Sequence, residues 1–450
     1  MEASKRNATT AGGIHESTAH PLASYREPSG TVRQRWIPFA LFMVVILGQT
    51  TNKFAVHSDS RWSLHLAMSV LREGNVDLDE YRPQIESASF FGVELVRGHL
   101  YSYFPEGPSF VVLPLLAPAD LVCRLIGIDL LPIVTGPRCA RIESHLAAIV
   151  VAFTTVVLFA ALRRAGITIG HASAAVLIFA FCTTVWSTAS RALWQHGPSM
   201  LAISAALYCV FGARTRPQTL VLAGAFLACA WILRPTNAIA LALLTSLVVL
   251  RYKRQLPGFL LTTAIPTALF VLHSKSIWGS LLPPYYQPGR LMGESALAEA
   301  LAGNLVSPAR GLLIFTPVVL VAGFGMVAGL AKGATRTLDT LLVLTVILHW
   351  IIISTFPHWW AGHSYGPRLF TDTMPYFTYF IAVAFTQFGV LPLRLRRFAW
   401  AVACVLATTS FCIHYKGANS HNVHWWNSRP VDVDEHPERV WDWGDLQFLR

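Results

Sequence analysis

Long uncharged apolar segments divide this chain, and they limit its fold more than any other feature. The segments lie at 36–52, 107–119 with an extension to about 128, 142–162, 165–190, 192–213, 217–233, 235–250, 255–274, 311–331, 340–356, 373–393 and 398–413. A helix needs about 20 apolar residues to cross a bilayer. The sequence therefore predicts an all-α, polytopic transmembrane helix bundle of about 11–12 spans.

Composition and charge agree with a membrane protein. Charged residues make up only 13% of the chain, against about 25% in soluble domains. The net charge of +11 comes from short basic clusters between apolar segments, a pattern that indicates cytoplasmic turns and no nucleic-acid partner. These clusters contain Arg163 and Arg164, Arg214 and Arg216, Arg251 to Arg254, Lys332 and Arg336, and Arg394 to Arg397. The seven cysteines lack CxxC spacing and predict neither a disulfide framework nor a metal site.

Three regions follow from this pattern. Residues 1–35 are polar and predict a disordered cytoplasmic tail, without the apolar core of a cleavable signal peptide. Residues 36–413 form the predicted membrane domain, whose first segment has the character of an uncleaved signal anchor. Residues 414–450 are expected to form a short extracytoplasmic tail that caps the outer face.

The interval 53–108 is the longest polar stretch after the first apolar segment, and we expect it to be the first outer loop. Trp62, Leu66 and Val70 recur at helical spacing. They predict an amphipathic helix that has Ser58 or Asp59 as its N-cap, stops at Gly74 and lies in the membrane interface. Asp59 has a second interpretation as a catalytic base, and capping is compatible with that role because it keeps a carboxylate ionised.

Arg191, Arg234 and Arg368 stand at the ends of apolar segments, where a cation is costly. One interpretation is that their side chains reach for the membrane surface. The other is that they bind a phosphate group. Counting spans from the basic clusters places all three arginines on the same face as Asp59, which favours the second interpretation.

Two further patterns each have two interpretations. Trp359, Trp360 and Tyr365 are typical of an interfacial aromatic belt, with a sugar-binding platform as the alternative. Asp77 and Asp79 resemble the acidic pair that binds metal–nucleotide sugars, but no Gly-rich phosphate loop or nucleotide-binding pattern accompanies them. We therefore expect no metal site.

Several segments, taken in order, carry a resemblance to a known superfamily. They are Asp59-Ser60-Arg61-Trp62 with the stretch to Leu78, Gly98 to Pro108, Trp194-Gln195-His196-Gly197-Pro198, Arg234-Pro235-Thr236-Asn237, and Trp359 to Arg368. Together they resemble a bacterial branch of the polytopic GT-C glycosyltransferases, the group related to protein O-mannosyltransferases and lipid A aminoarabinose transferases.

The resemblance implies a GT-C fold in the bacterial cytoplasmic (inner) membrane with its active face extracytoplasmic. It implies transfer of a sugar, with inversion, from a polyprenyl-phosphate donor to an envelope glycolipid, polysaccharide or protein, without a cofactor. Asp59 matches the acidic residue of the first outer loop and is the expected base. Arg191, Arg234 and Arg368 are the expected phosphate ligands. The expected substrate-binding residues are His99, Tyr101, Glu106, His196, Trp359, His363 and Tyr365.

One position departs from the superfamily. Many relatives have a pattern like Lys-Pro-Pro-Gly where this chain has Phe104-Pro105-Glu106-Gly107. A cation from this loop would then have to come from His99 or Arg97.

Two alternatives come from other functional classes. A lipid-linked saccharide flippase or other transporter would have polar residues near the middle of spans and two similar halves, whereas these segments are almost free of charge. A noncatalytic partner of another membrane enzyme stays open.

Overall fold

The computed structural model describes residues 35–52, 55–56, 58–287, 289, 296–331 and 335–450. The predicted tail therefore lies almost wholly outside the described residues. The α-helices are α1 Ile37–Thr50, α2 Ser63–Arg72, α3 Arg82–Ser87, α4 Gly107–Leu125, α5 Leu131–Val134, α6 Cys139–Arg164, α7 Ile169–Phe181, α8 His196–Gly212, α9 Thr219–Leu233, α10 Ala238–Arg251, α11 Leu256–Trp278, α12 Leu297–Val306, α13 Leu312–Phe315, α14 Val319–Leu330, α15 Arg336–Ser354, α16 Met374–Phe388, α17 Leu393–Asn419 and α18 Asn422–Trp425. An antiparallel hairpin of β1 Val93–Val96 and β2 His99–Ser102 pairs Val93 with Ser102.

The predicted all-α helical bundle is confirmed, since the described residues are mostly helical. Among the described residues, five helices are long and apolar enough to cross a membrane: α4, α6, α11 with the turn from Lys253, α15 and α17. Other predicted spans are shorter helices, because local breaks interrupt the apolar segments. The segment 311–331, for example, is split between α13 and α14 at Pro317, since proline cannot donate the backbone hydrogen bond that a helix interior needs.

Close helix packing builds the core between the two ends of the bundle. A Cβ atom added at Gly325 of α14 would lie 1.9 Å from the Phe380 carbonyl oxygen of α16. Only glycine therefore permits this approach, as is common where membrane helices touch. The shared core joins α6, α7, α8, α9 and α16 through buried Val, Leu, Ala and Phe side chains.

Several of the basic turns meet at one end of the bundle. Arg214 after α8 and Arg251 of α10 line one cavity there. The Arg164 guanidinium at the end of α6 lies 3.6 Å from the centre of the Tyr208 ring in α8. At the opposite end of the bundle, α8 begins at His196, and the turn that contains Arg234 precedes α10. Arg164, Arg214 and Arg251 therefore lie at the end of the bundle opposite His196 and Arg234.

The 58–106 region corrects one prediction. α2 begins at Ser63 with Trp62 at the N-cap position, so Asp59 lies in the preceding turn and does not cap the helix. Gly74 follows the end of α2 with a φ of 73°, as expected for a helix stop. His65 and Ser69, polar residues of a helix that the sequence predicted to be amphipathic, are both buried.

Packing on both sides explains why α2 is buried. Leu64 packs on Val112 and Leu116 of α4, and Leu66 packs with Leu78 and Leu100 around the β-hairpin. α2 is thus a buried helix of a small layer, whereas the sequence predicted a helix exposed along one face.

The C-terminal tail packs onto the end that carries Asp59 and is tied to it through Arg310. The buried Arg310 guanidinium donates to Gln447 Oε1 at 2.9 Å and Asn427 Oδ1 at 2.8 Å. It also donates to the carbonyl of Trp360 at 2.7 Å. The tail and the 356–367 segment are therefore held as one unit.

Candidate functional site

A cavity of about 410 Å³ opens at the end of the bundle opposite the basic turns. Its polar lining contains Asp59, Arg234, Thr236, Tyr285, His358 and Arg368, and its apolar lining includes Phe91, Phe104, Phe356 and Leu369. Residues from four distant parts of the chain therefore converge here. Three of them, Asp59, Arg234 and Arg368, are residues that the sequence singled out.

Asp59 and Arg368 form an ion pair in the lining of the cavity. Asp59 lies in the turn before α2, and Arg368 begins the 3-10 turn Arg368–Thr373 that leads into α16. Their side chains are 23% and 11% exposed, so both remain accessible from the cavity. The Arg368 guanidinium also lies 4.2 Å from the centre of the Trp194 ring, which orients it by a cation–π contact.

Arg234 is held by a buried carboxylate. Its Nε donates to Asp372 Oδ2 at 3.1 Å, and the imidazole Nδ1 of His196 lies 2.8 Å from the same oxygen. Burial alone would raise the pKa of Asp372, but the imidazole of His196 and the guanidinium of Arg234 together hold this pKa below its usual range. Asp372 is therefore ionised, and it fixes the Arg234 cation at the cavity wall.

The backbone explains how Arg234 reaches this position. α9 ends at Leu233, and Arg234 is extended, with a φ of −146°. Pro235 follows and starts a new turn, because the residue before proline disfavours helical geometry. The Arg234 Nη1 also lies 3.4 Å from the Tyr285 hydroxyl. The break between two helices thus turns a cation towards the cavity.

Several buried polar atoms around this wall make no hydrogen bond within the described chain. They are Trp194 Nε1, His196 Nε2, Thr236 Oγ1, Arg368 Nε and Asp372 Oδ1. A buried polar atom without a partner is costly, and such atoms are usually satisfied by ordered water or a polar ligand. Their concentration therefore marks this wall as a polar binding surface.

An apolar groove of about 450 Å³ adjoins the cavity and shares Phe104 and Tyr285 with it. Phe110 of α4 and Leu269 and Phe270 of α11 line its walls. Both helices are candidate membrane spans. The groove can therefore receive a hydrocarbon chain from the side while the attached polar group enters the cavity.

Glu106 and His196 lie next to the cavity without lining it. Glu106 lines the groove, where its Oε2 lies 2.8 Å from the His273 Nε2 of α11. This position, where the chain differs from the Lys-Pro-Pro-Gly pattern, thus places a carboxylate, paired with an imidazole, at the groove. His196 is fully buried and contacts Asp372, the carboxylate that holds Arg234 at the cavity wall.

Arg191 is not brought to the cavity. It is 1% exposed, and its Nη2 donates to the Gln49 carbonyl at the end of α1 at 2.9 Å. The Arg191 backbone carbonyl accepts a hydrogen bond from the Val56 amide at 3.2 Å. Its observed contacts therefore join α1 to the turn before α8, and its predicted role in binding phosphate stays a prediction.

The other predicted substrate-binding residues lie outside the described lining of the cavity. Their contacts are His99 Nδ1 with Asp79 Oδ2 at 2.6 Å, the Tyr101 ring with the Trp278 ring at 6.2 Å, the Trp359 ring with the Trp441 ring at 6.3 Å, His363 Nε2 with Asp432 Oδ1 at 2.9 Å, and the Tyr365 hydroxyl with the Ile413 carbonyl at 2.7 Å. Trp359 and Tyr365 are buried at 5% and 2% exposure. A direct substrate contact by these residues stays a prediction.

Two clusters among the described residues have a spacing that could hold a metal ion. Asp77, Asp79 and His99 form one, and His363, Asp432 and Asp434 form the other. Burial alone would raise the pKa of Asp79, but hydrogen bonds from the Leu100 amide and His99 lower it below its usual value. Neither cluster shares a residue with the cavity lining.

Sequence reasoning missed Asp372, Thr236, Tyr285 and His358. Asp372 carried the clearest signal, because it is an acidic residue at the edge of the apolar segment 373–393, four positions after Arg368. Such a residue requires a buried partner. Tyr285 had no comparable signal, since its position depends on how the segment after α11 folds back.

No protein-family model and no curated protein sequence matches this chain.

Proposed function

We propose that this protein is a membrane glycosyltransferase that moves a sugar from a polyprenyl-phosphate donor to an envelope acceptor on the extracytoplasmic side. One observation carries the proposal: a carboxylate and two arginines share a cavity that adjoins an apolar groove lined by two membrane-length helices. A polyprenyl-phosphate sugar has three parts that match these features: an apolar chain for the groove, a phosphate for the arginines, and a sugar whose transfer needs a base.

Each part of the donor has a counterpart. The groove beside Leu269 takes the first isoprene units, because apolar surface is removed from water there. Arg234 and Arg368 bind the phosphate, since guanidinium groups pair with phosphate oxygens in two-point geometry. The sugar then lies in the cavity beside Asp59, with polar atoms of Thr236 and His358 near its hydroxyl groups.

Asp59 acts as the general base in this proposal. The acceptor hydroxyl oxygen forms a bond to the anomeric carbon, and its proton passes to Asp59. The bond between that carbon and the phosphate oxygen breaks, and polyprenyl phosphate leaves with the electron pair. A positioned base contributes roughly 10²–10⁴-fold to the rate, and the two arginines stabilise the charge that develops on the leaving phosphate.

The ion pair between Asp59 and Arg368 gives this scheme an order of events. While Arg368 contacts Asp59 Oδ2, this carboxylate is a weaker base and is less able to accept the proton of a hydroxyl group. A donor phosphate offers Arg368 a stronger partner with more acceptor oxygens. Donor binding therefore draws Arg368 away and frees Asp59 for the acceptor.

The test uses the purified full-length protein, a series of radiolabelled polyprenyl-phosphate sugars and extracted envelope acceptors. We expect transfer by the wild type and a loss of about 10²–10⁴-fold in Asp59→Asn. Glu86→Gln is the matched control, because it neutralises an exposed carboxylate of the same region outside the cavity. Absence of transfer from every donor, or equal transfer by Asp59→Asn and the wild type, would overturn the proposal.

A further inference from the structure

A second polar cavity, of about 450 Å³, lies at the basic end of the bundle. Arg214, Arg251, Tyr252 and Thr337 are among its lining residues. α8 has 17 residues between the Asp372 contact of His196 and the turn that holds Arg214, a length of roughly 25 Å. The cavity is therefore separate from the site that contains Asp59.

The charge of this cavity is not neutralised by the described residues around it. Arg251 donates from Nη2 to Thr337 Oγ1 at 2.9 Å, and no described carboxylate forms an ion pair with Arg251 or Arg214. Asp339 is close by but buried, and it accepts a hydrogen bond from the Tyr379 hydroxyl at 2.7 Å. The two guanidinium groups thus face the cavity together with hydroxyl groups and no competing anion.

Apart from Thr335 and Tyr379, the remaining walls are apolar. Phe211 of α8, Leu247 of α10 and Leu338 of α15 line the cavity beside the arginines. A free inorganic anion would gain nothing from such walls. A phosphate attached to a glycerol and acyl chains would contact both kinds of surface, and basic pockets between membrane helices bind anionic headgroups in this way.

We propose that this cavity binds a phosphate ester, with Arg214 and Arg251 on the phosphate oxygens and the apolar wall along the attached lipid. The ligand is an anionic phospholipid of the membrane leaflet at the basic end of the bundle. Such a lipid would fasten the ends of α8, α10 and α15 together. The site requires no sugar transfer and is independent of the function proposed above.

Native mass spectrometry of the full-length protein, delipidated and then supplied with defined phosphatidylglycerol, tests the proposal. The affinity of the double variant Arg214→Gln/Arg251→Gln for phosphatidylglycerol should be lower than that of the wild type by about tenfold or more. Arg394→Gln/Arg397→Gln is the matched control, because it removes the same charge from exposed positions of α17. A monodisperse size-exclusion profile and an unchanged melting temperature establish that each variant is folded.

Retention by the wild type and the control, with loss in the Arg214/Arg251 variant, supports the site. Equal retention by all three proteins, or equal loss in both variants, overturns it. A second arm adds inorganic phosphate at millimolar concentration. If phosphate binds through the same arginines while the wild type does not retain phosphatidylglycerol, the phosphate site stands but its assignment to a phospholipid falls.

Discussion

The two arginines of the candidate site, Arg368 and Arg234, are held in different ways. Arg368 pairs with Asp59 and lies over the Trp194 ring at 4.2 Å. Arg234, by contrast, is fixed by Asp372 at 3.1 Å. The site thus combines one cation that is tied to a buried carboxylate with one that is paired to a partly exposed carboxylate, and the proposed function requires the second cation to exchange to a phosphate.

Arg368→Lys tests the exchange. Lysine keeps the positive charge but loses the planar geometry that binds a phosphate at two points and stacks on Trp194. We expect kcat/KM for sugar transfer to fall by about 10²–10³-fold. Arg82→Lys is the control, since Arg82 pairs with Asp79 at 3.6 Å outside the cavity lining. Normal transfer by Arg368→Lys in the kinetic assay would remove Arg368 from the mechanism.

Asp372→Asn tests the fixed cation. The substitution leaves the Arg234 charge buried without its counterion, which should cost about 3–5 kcal/mol of stability at pH 7. Thermal unfolding of the detergent-solubilised protein measures this effect as a lower melting temperature. Glu86→Gln, at an exposed carboxylate, should melt like the wild type. An Asp372→Asn protein that melts at the wild-type temperature would contradict the role assigned to the pair.

The same pair predicts a pH dependence. The pKa of Asp372 is lower in the folded protein than its ordinary value, so ionised Asp372 stabilises the fold above about pH 4. This stabilisation is lost as the pH falls further, towards the folded-state pKa. The difference in melting temperature between wild type and Asp372→Asn should therefore shrink below pH 4. A constant difference from pH 7 to pH 3 would contradict the coupling.

At the scale of elements, helix ends make the site and helix faces make the groove. The breaks after α9 and before α16 present Arg234 and Arg368, while α4 and α11 supply apolar walls. The sequence predicted both breaks, because Arg234 separates the apolar segments 217–233 and 235–250, and Arg368 lies between the segments 340–356 and 373–393. It could not predict that α2 is buried, because the β-hairpin that covers its second face comes from residues 93–102.

The groove wall of α11 offers a prediction with a control on the same helix. Leu269→Trp fills the groove, and overpacking of this kind costs about 1–3 kcal/mol, or roughly 5- to 150-fold in affinity. KM should rise by that range for a long polyprenyl-phosphate donor and change little for a donor with a very short chain. Leu272→Trp, on an exposed face outside the groove lining, should behave like the wild type. Equal kinetics of both variants with the long donor would exclude the groove as the lipid site.

At the scale of the whole molecule, the basic turns and the candidate site occupy opposite ends. The charge pattern of the sequence was sufficient to predict this division, because the basic clusters recur after every second apolar segment. The pattern was not sufficient to place Arg191. That residue shares the predicted face with Asp59, yet it is buried against the end of α1. Span counting assigns a residue to a face of the membrane, whereas tertiary packing decides what its side chain contacts.

Opposite ends should face opposite sides of the membrane. The basic end should remain in the cytoplasm, because positively charged turns are retained there, and the end with Asp59 and the C-terminal tail should then be extracytoplasmic. The seven native cysteines lie mostly on buried or membrane-length helices, so a cysteine-free background is the starting point. Gln218→Cys marks the basic end, and Asp442→Cys marks the tail; both positions are exposed.

A membrane-impermeant maleimide applied to intact cells should label Asp442→Cys and leave Gln218→Cys unlabelled until the membrane is opened. The pair controls for itself, since each protein must be labelled fully after permeabilisation. Labelling of Gln218→Cys alone in intact cells would invert the topology. The cavity would then face the cytoplasm, where nucleotide sugars are available. The choice of a polyprenyl-phosphate donor would lose its topological basis. The pairing of Asp59 with Arg368 in the cavity would still require a function.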